Sequence, residues 1–153
     1  MITIDRKDVE GITLLSTEEA EKLPRWLLAN GNGWWLRSPG YVRNGAACVF
    51  TDGTVFRLGF DVHYDDICVR PVIKVNLKPY LPLIVKGRIQ PLVIGETVRV
   101  FFKQAQYIGN DMVLLCESIA FHRFDEKSND YENSEIKEFL ENWLKEQLKE
   151  VKK

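Results

Sequence analysis

Two stretches constrain this chain more than any other: Trp34-Trp35-Leu36-Arg37-Ser38-Pro39-Gly40 and, further on, Val69-Arg70-Pro71-Val72-Ile73. Adjacent Trp rings and Arg-Pro steps are rare and demanding. Each ring needs burial or a partner surface, and each guanidinium set among apolar residues needs acceptors for five donors. Such a pattern requires a fixed architecture but specifies no reaction. Arg37 and Arg70 read as structural donors to loop carbonyls or to a carboxylate such as Asp52. Ser38, Pro39, Gly40 and Pro71 complete the structural signature. Trp34 and Trp35 suit dual duty, one ring in the core and one at a surface, since Trp is enriched at binding hot spots. With Tyr41 and Tyr64 they form the candidate binding set.

With 153 residues, 45% of them hydrophobic, the chain fits one domain that buries roughly two thirds of its unfolded surface. The expected division is residues 12–77, a connecting seam at 78–95 and a strand-strand-helix half at 96–153. A net charge of −1 gives no long-range basic field, so nucleic acid is not the favoured partner. The opening Met-Ile-Thr-Ile-Asp-Arg-Lys-Asp lacks the basic and then apolar run of a secretory signal, and no stretch reaches the roughly 20 apolar residues of a membrane span. A cytoplasmic product without a membrane partner is expected. Cys48, Cys68 and Cys116 are odd in number and lie in apolar runs, which suits reduced core thiols better than disulfides or zinc.

Ile12 to Leu15 reads as a short buried strand. Ser16-Thr17-Glu18-Glu19 has capping-box spacing and predicts a helix to about Asn30, broken or re-angled at Pro24. Ala46 to Phe60 is a hairpin pattern, with Asp52-Gly53 matching a type I′ turn. The β-rich segment from Ile67 to Leu77 carries Pro71, which forbids one ladder donor and implies an edge, a bulge or a strand start. The Pro- and Gly-rich run at 78–95 reads as a connecting ribbon. Thr97 to Ala105 and Asp111 to Glu117 read as strands joined at Gly109-Asn110-Asp111, followed by a polar loop from Asp125 to Asn133. Ile136, Phe139, Leu140, Trp143, Leu144 and Leu148 recur at helical spacing and predict a closing helix capped by Asn133 or Ser134.

These residues resemble a family of uncharacterised domains common in gut bacteria and their phages, marked by WWLRSPG, a hairpin with a Gly turn, and a VRP strand. In that family a Leu-Leu-Ser strand followed by Glu-Glu-Ala precedes the Trp motif, as Leu14-Leu15-Ser16-Thr17-Glu18-Glu19-Ala20 does here. The family's other half is similar to Met112-Val113-Leu114-Leu115, Phe121 to Phe124, and Tyr131 to Leu140, but here it follows the VRP strand instead of preceding it. The resemblance implies circularly permuted order. It also implies an α+β single domain of mostly antiparallel twisted sheets with two main helices, C-type-lectin-like. The Arg-Ser and Val-Arg-Pro elements look like those of formylglycine-generating-enzyme-like domains; the cysteine motif of those enzymes has no counterpart at Cys48, Cys68 or Cys116, so their activity is not implied.

Little in the chain supports catalysis. His63 and His122 lie outside any nucleophile motif. Asp61, His63, Asp65 and Asp66 crowd one loop, yet no EF-hand spacing occurs and acidic loops are usually solvated; the same holds for Asp125 to Asp130. No metal or other cofactor is expected. The leading expectation is a non-enzymatic interaction module, phage or prophage derived, that engages a host protein and inhibits a host defence factor. A carbohydrate-binding virion or surface component, and an enzyme with an unrecognised site, are the alternatives. Self-association through the last helix or an edge strand stays open.

Overall fold

Two sheets form from strands that are interleaved along the chain. The computed structural model describes residues 2–83, 90–94 and 103–148. In chain order these hold β1 (Ile2–Ile4), β2 (Val9–Thr13), α1 (Thr17–Glu21), α2 (Arg25–Leu28), β3 (Trp34–Pro39), β4 (Gly45–Val49), β5 (Val55–Asp61) and β6 (Cys68–Val69). They continue with β7 (Val72–Val75), β8 (Gln90–Ile94), β9 (Lys103–Gly109), β10 (Met112–Leu115), β11 (Ala120–Phe121) and α3 (Glu135–Leu148). The six-stranded sheet has the order β1-β8-β9-β10-β7-β2 and the five-stranded sheet β11-β6-β3-β4-β5. All pairings are antiparallel except β1 with β8 and β3 with β6. The architecture is α+β, with mostly antiparallel sheets and one long C-terminal helix.

Strand alternation assigns side chains to layers. Trp34, Leu36, Ala47 and Val49 face Val72, Met112 and Leu114 of the six-stranded sheet, and Ala20, Leu27 and Leu28 of α1 and α2 close this layer. Trp35, Ala46, Cys48 and Val69 project from the other face and meet Phe124, Tyr131, Ile136 and Leu140. Ile73, Val75, Val113 and Leu115 form a third cluster with Leu144. Helix α3 therefore serves both sheets along one apolar stripe, the spacing predicted for it. Ser134 caps it by accepting from the Lys137 amide at 3.2 Å, and Asp125 accepts from the Glu135 amide at 3.0 Å.

The first helix begins as expected. Ser16 Oγ accepts from the Glu19 amide at 3.1 Å while Glu19 Oε1 accepts from the Ser16 amide at 2.9 Å. Extended backbone at Pro24, φ −69° and ψ 147°, then divides it into two short pieces, so only α3 is a main helix.

Three local expectations are corrected. The buried strand expected at Ile12 to Leu15 is β2, which ends at Thr13; Leu14 and Leu15 are buried beyond it. The Asp52-Gly53 turn is not type I′, because positive φ occurs only at Gly53. The type I′ signature lies instead at Asn110 and Asp111, φ 53° and 60°, in the β9–β10 hairpin, where Asn and Asp tolerate the left-handed region. Finally, 78–95 is not merely a ribbon: Lys78–Leu83 is a 3₁₀ turn, and Gln90–Ile94 is a strand bonded to both β1 and β9. The part of the expected Thr97 to Ala105 strand before Lys103 lies outside the described residues.

Arg70 and Pro71 stand between β6 of one sheet and β7 of the other, so the missing proline donor marks the point where the chain changes sheets. The Pro71 carbonyl accepts from the Leu115 amide at 3.1 Å, which locks this crossing to the end of β10.

Candidate functional site

The signature residues are spent on the fold. Arg70 is 2% exposed; its Nε donates to the Leu115 carbonyl at 2.7 Å and one terminal nitrogen donates to the Leu27 and Leu28 carbonyls at 2.8 and 3.2 Å. Its guanidinium lies 5.0 Å from the Trp34 ring centroid. Burial lowers its pKa to about 10, which leaves it charged at neutral pH. Arg37 donates to the Leu14 carbonyl at 2.6 Å and to Glu19. Burial pushes the Glu19 carboxyl up, but hydrogen bonds from Arg37 and the Ser16 amide outweigh it and leave the pKa below its ordinary value. Asp52 partners neither arginine; it accepts from the Thr54 amide in its own turn at 3.0 Å. Ser38 Oγ accepts from the Thr17 amide at 3.0 Å and so satisfies a free donor at the start of α1.

Neither Trp reaches a surface. Trp34 and Trp35 are both fully buried, because α1 and α2 cover one face of β3 and Phe124, Tyr131 and α3 cover the other. Their indole N–H groups donate to the Leu28 and His122 carbonyls at 3.0 and 2.8 Å. They are removed from the candidate binding set.

Tyr41 and Tyr64 are exposed, 71% and 50%. Each belongs to a larger feature. The Tyr41 and Val42 amides donate to the Arg57 and Leu58 carbonyls at 3.1 and 3.2 Å, so the β3–β4 connection folds against a bulge in β5. Val42 and Leu58 are themselves 45% and 49% exposed, so the two hydrogen-bonded segments carry three exposed apolar residues, here called the ledge. Below the ledge Arg57 pairs with Glu21 of α1 and donates to Tyr41 Oη at 3.3 Å.

The backbone here is closely fitted. A Cβ on Gly40 would lie 2.3 Å from the Leu58 carbonyl oxygen, and one on Gly59, at φ 86°, would lie 2.6 Å from the Ala46 oxygen. These glycines hold the ledge in place and explain why the Ser-Pro-Gly step ends in Gly. The bulge also occupies carbonyls of an outer strand, which blunts that edge against strand pairing.

Tyr64 ends an aromatic row. Phe50, Phe56, Phe60 and Tyr64 follow one another at centroid separations of 4.6, 5.2 and 5.9 Å. Backbone hydrogen bonds tie both the Tyr41 and the Tyr64 loops to β5, Tyr41 to Arg57 and Tyr64 to Asp61. Three loops converge there. The Val62 amide donates to the Asn44 carbonyl, Asn129 Nδ2 to the Gly45 carbonyl, and the Phe124 and Asp125 amides to the Val62 carbonyl. Val42 and Leu58 escaped sequence reasoning; the glycines at 40, 45 and 59 around isolated apolar residues were the available signal.

The loop from Asp61 to Asp66 is ordered by its own first residue, whose carboxylate accepts from the His63 amide at 3.1 Å and lies against Nδ1 of the His63 ring. Among the described residues no three His, Cys, Asp or Glu side chains converge to hold a metal ion. The His122 ring lies tilted against Phe139 at a centroid separation of 4.6 Å, and its Nδ1 lies 2.5 Å from the Arg123 carbonyl. Burial pushes the Cys48 thiol up to about 12 and also raises Cys68 and Cys116, the opposite of an activated nucleophile.

A separate cleft of about 520 Å3 is lined by Glu10, Glu19, Arg37, Lys74, Asp111 and Glu132, among others. Its polar wall differs from the largely apolar lining of small-molecule sites, and Arg37 is already engaged there. No described helix is long and apolar enough to cross a membrane. Comparison with protein-family models, with curated proteins and with solved structures gave no match.

Proposed function

We propose that this chain is a non-enzymatic interaction module that engages a protein partner through the Tyr41–Val42–Leu58 ledge and the loops beside it. The ledge carries the proposal. Three apolar residues are exposed on two segments whose backbones hydrogen-bond to each other and admit no Cβ at Gly40, and such preorganisation lowers the ordering cost of binding. The sequence resemblance supports a phage or prophage origin and action in the host cytoplasm, where the module would block a host factor such as a defence nuclease. The proposed scaffold is C-type-lectin-like with its halves in permuted order. In support, strands from both halves share each of the two sheets.

The test is affinity capture from a bacterial lysate with two baits, the native chain and a Tyr41→Ser/Leu58→Ser double variant, read by mass spectrometry. A specific protein retained by the first and lost by the second is expected. No specific protein, or the same set on both baits, would overturn the proposal. The aromatic row ending at exposed Tyr64 favours glycan binding as a second reading, since sugar rings stack on such platforms; a glycan array without hits would remove it.

A further inference from the structure

We propose that Asn32 is a site of spontaneous covalent modification, at which the chain deamidates through a cyclic imide to aspartate and isoaspartate. The chemistry is that of the Asn-Gly step. The amide nitrogen of the glycine attacks the side-chain carbonyl carbon of the asparagine. A new N–Cγ bond closes a five-membered ring, the glycine nitrogen gives up its proton, and the side-chain nitrogen leaves as ammonia. Water then opens the ring at either carbonyl, which leaves aspartate or isoaspartate. Glycine in the second position favours closure, because it has no Cβ to shield the nitrogen and restricts the backbone least.

The chain contains three such steps, Asn30-Gly31, Asn32-Gly33 and Asn44-Gly45, and the fold treats them differently. Asn44 is exposed, but the Gly45 amide it would need is buried and donates to the Val42 carbonyl at 3.1 Å. Asn30 is held at both ends of its side chain: Nδ2 donates to Ser118 Oγ at 3.1 Å and Oδ1 accepts from the Asn32 amide at 3.2 Å. Turning its carbonyl carbon toward the Gly31 nitrogen breaks both bonds. Asn32 has neither restraint. It is exposed, its side chain makes no hydrogen bond among the described residues, and the Gly33 amide donates to none of them. Gly31, at φ 86°, precedes it, so the reacting residue has glycine on both sides.

The place of this step in the fold separates the two products. Gly33 accepts from the Cys68 amide at 2.8 Å and leads into β3, where Trp34 pairs with Cys68 of β6 and with Val49 of β4. Isoaspartate carries the main chain through the former side chain and adds a methylene immediately before that junction. Aspartate adds a negative charge and leaves the backbone path unchanged.

The experiment ages the full chain in mildly alkaline buffer and follows each Asn-Gly step by peptide mapping, with electron-transfer fragmentation to separate isoaspartate from aspartate. Asn32 should convert at least about tenfold faster than Asn30 or Asn44, since those two must first break native hydrogen bonds. In urea the three rates should draw together, and Ser118→Ala should speed Asn30 about fivefold in the folded chain. Equal rates at the three steps of the folded chain, or conversion led by Asn30 or Asn44, overturns the inference. So does an intact Asn32 after the unfolded control has converted. The isoaspartate fraction should unfold at a lower urea midpoint than the aspartate fraction; equal midpoints overturn the assigned consequence while the site stands.

Discussion

Arg70 shows how one side chain stabilises several elements at once. Its donors reach carbonyls left over at the end of α2 and at the end of β10, and its plane lies over Trp34. No carboxylate among the described residues pairs with it, so its net worth comes from satisfying backbone acceptors that would otherwise be buried unpaired. Arg70→Ala should therefore cost about 3 kcal/mol, seen as a lower urea midpoint with an unchanged slope. Arg70→Lys should recover little, because a compact ammonium cannot bridge carbonyls on both elements. An Arg70→Ala protein of native stability would refute this account. The structural demand of Arg70 was legible in the sequence, since five donors among apolar residues must go somewhere. Its acceptors were not, because backbone carbonyls leave no trace in residue identity, and an acid such as Asp52 was the nearest legible substitute. The same blindness misplaced the Trp rings: adjacent residues in a strand must point to opposite faces, but whether both faces are covered depends on α3, far away in the chain.

At the scale of elements, the β3–β4 connection and bulged β5 form one unit whose geometry rests on glycine. Gly40→Ala would drive a methyl into the Leu58 carbonyl, and relief requires moving the ledge itself. A loss of about 2 kcal/mol is expected by urea unfolding, within the range for backbone strain of this kind. Gly11→Ala is the control: nothing lies within 4 Å of its Cβ position and it is not at positive φ, so its effect should stay within about 0.5 kcal/mol. Equal losses for the two would show that the close approach at Gly40 is not what matters. The hairpin itself was readable from alternation and the Asp-Gly pair, and so were the capping box and the amphipathic last helix, since these signals are local. The turn class and the bulge were not. Both depend on how neighbouring strands register, and Gly59 falls in the bulge between Phe60, which pairs with Ala46, and Phe56, which pairs with Cys48, because β4 and β5 slip against each other.

For the molecule as a whole, the passage at Arg70-Pro71 joins the two sheets into one packing problem. Val72 contributes to the layer between the sheets while its neighbour Ile73 faces the cluster with α3, so neither layer can open without disturbing the other. Ile73→Ala, at a fully buried position, should cost about 3 kcal/mol. It should lower a single transition, with near-ultraviolet signals from the buried Trp pair and far-ultraviolet signals from backbone moving together. Two separated transitions would mean that the sheets are independent units. One-domain size and α+β class were within reach of composition and pattern. The six-stranded order was not, because β8 reads as a Pro-rich connection, and its membership is decided by strands on either side of it.

The interleaving of strands also governs how the chain can be born. On the ribosome β2 emerges early, yet its neighbour β7 comes only after the whole β3–β6 excursion, and β7 in turn waits for β10. The six-stranded sheet therefore cannot close on a partly made chain. A nascent polypeptide stalled anywhere before Leu115 would hold half-finished edges, a natural substrate for chaperones and an unforgiving place for a premature stop.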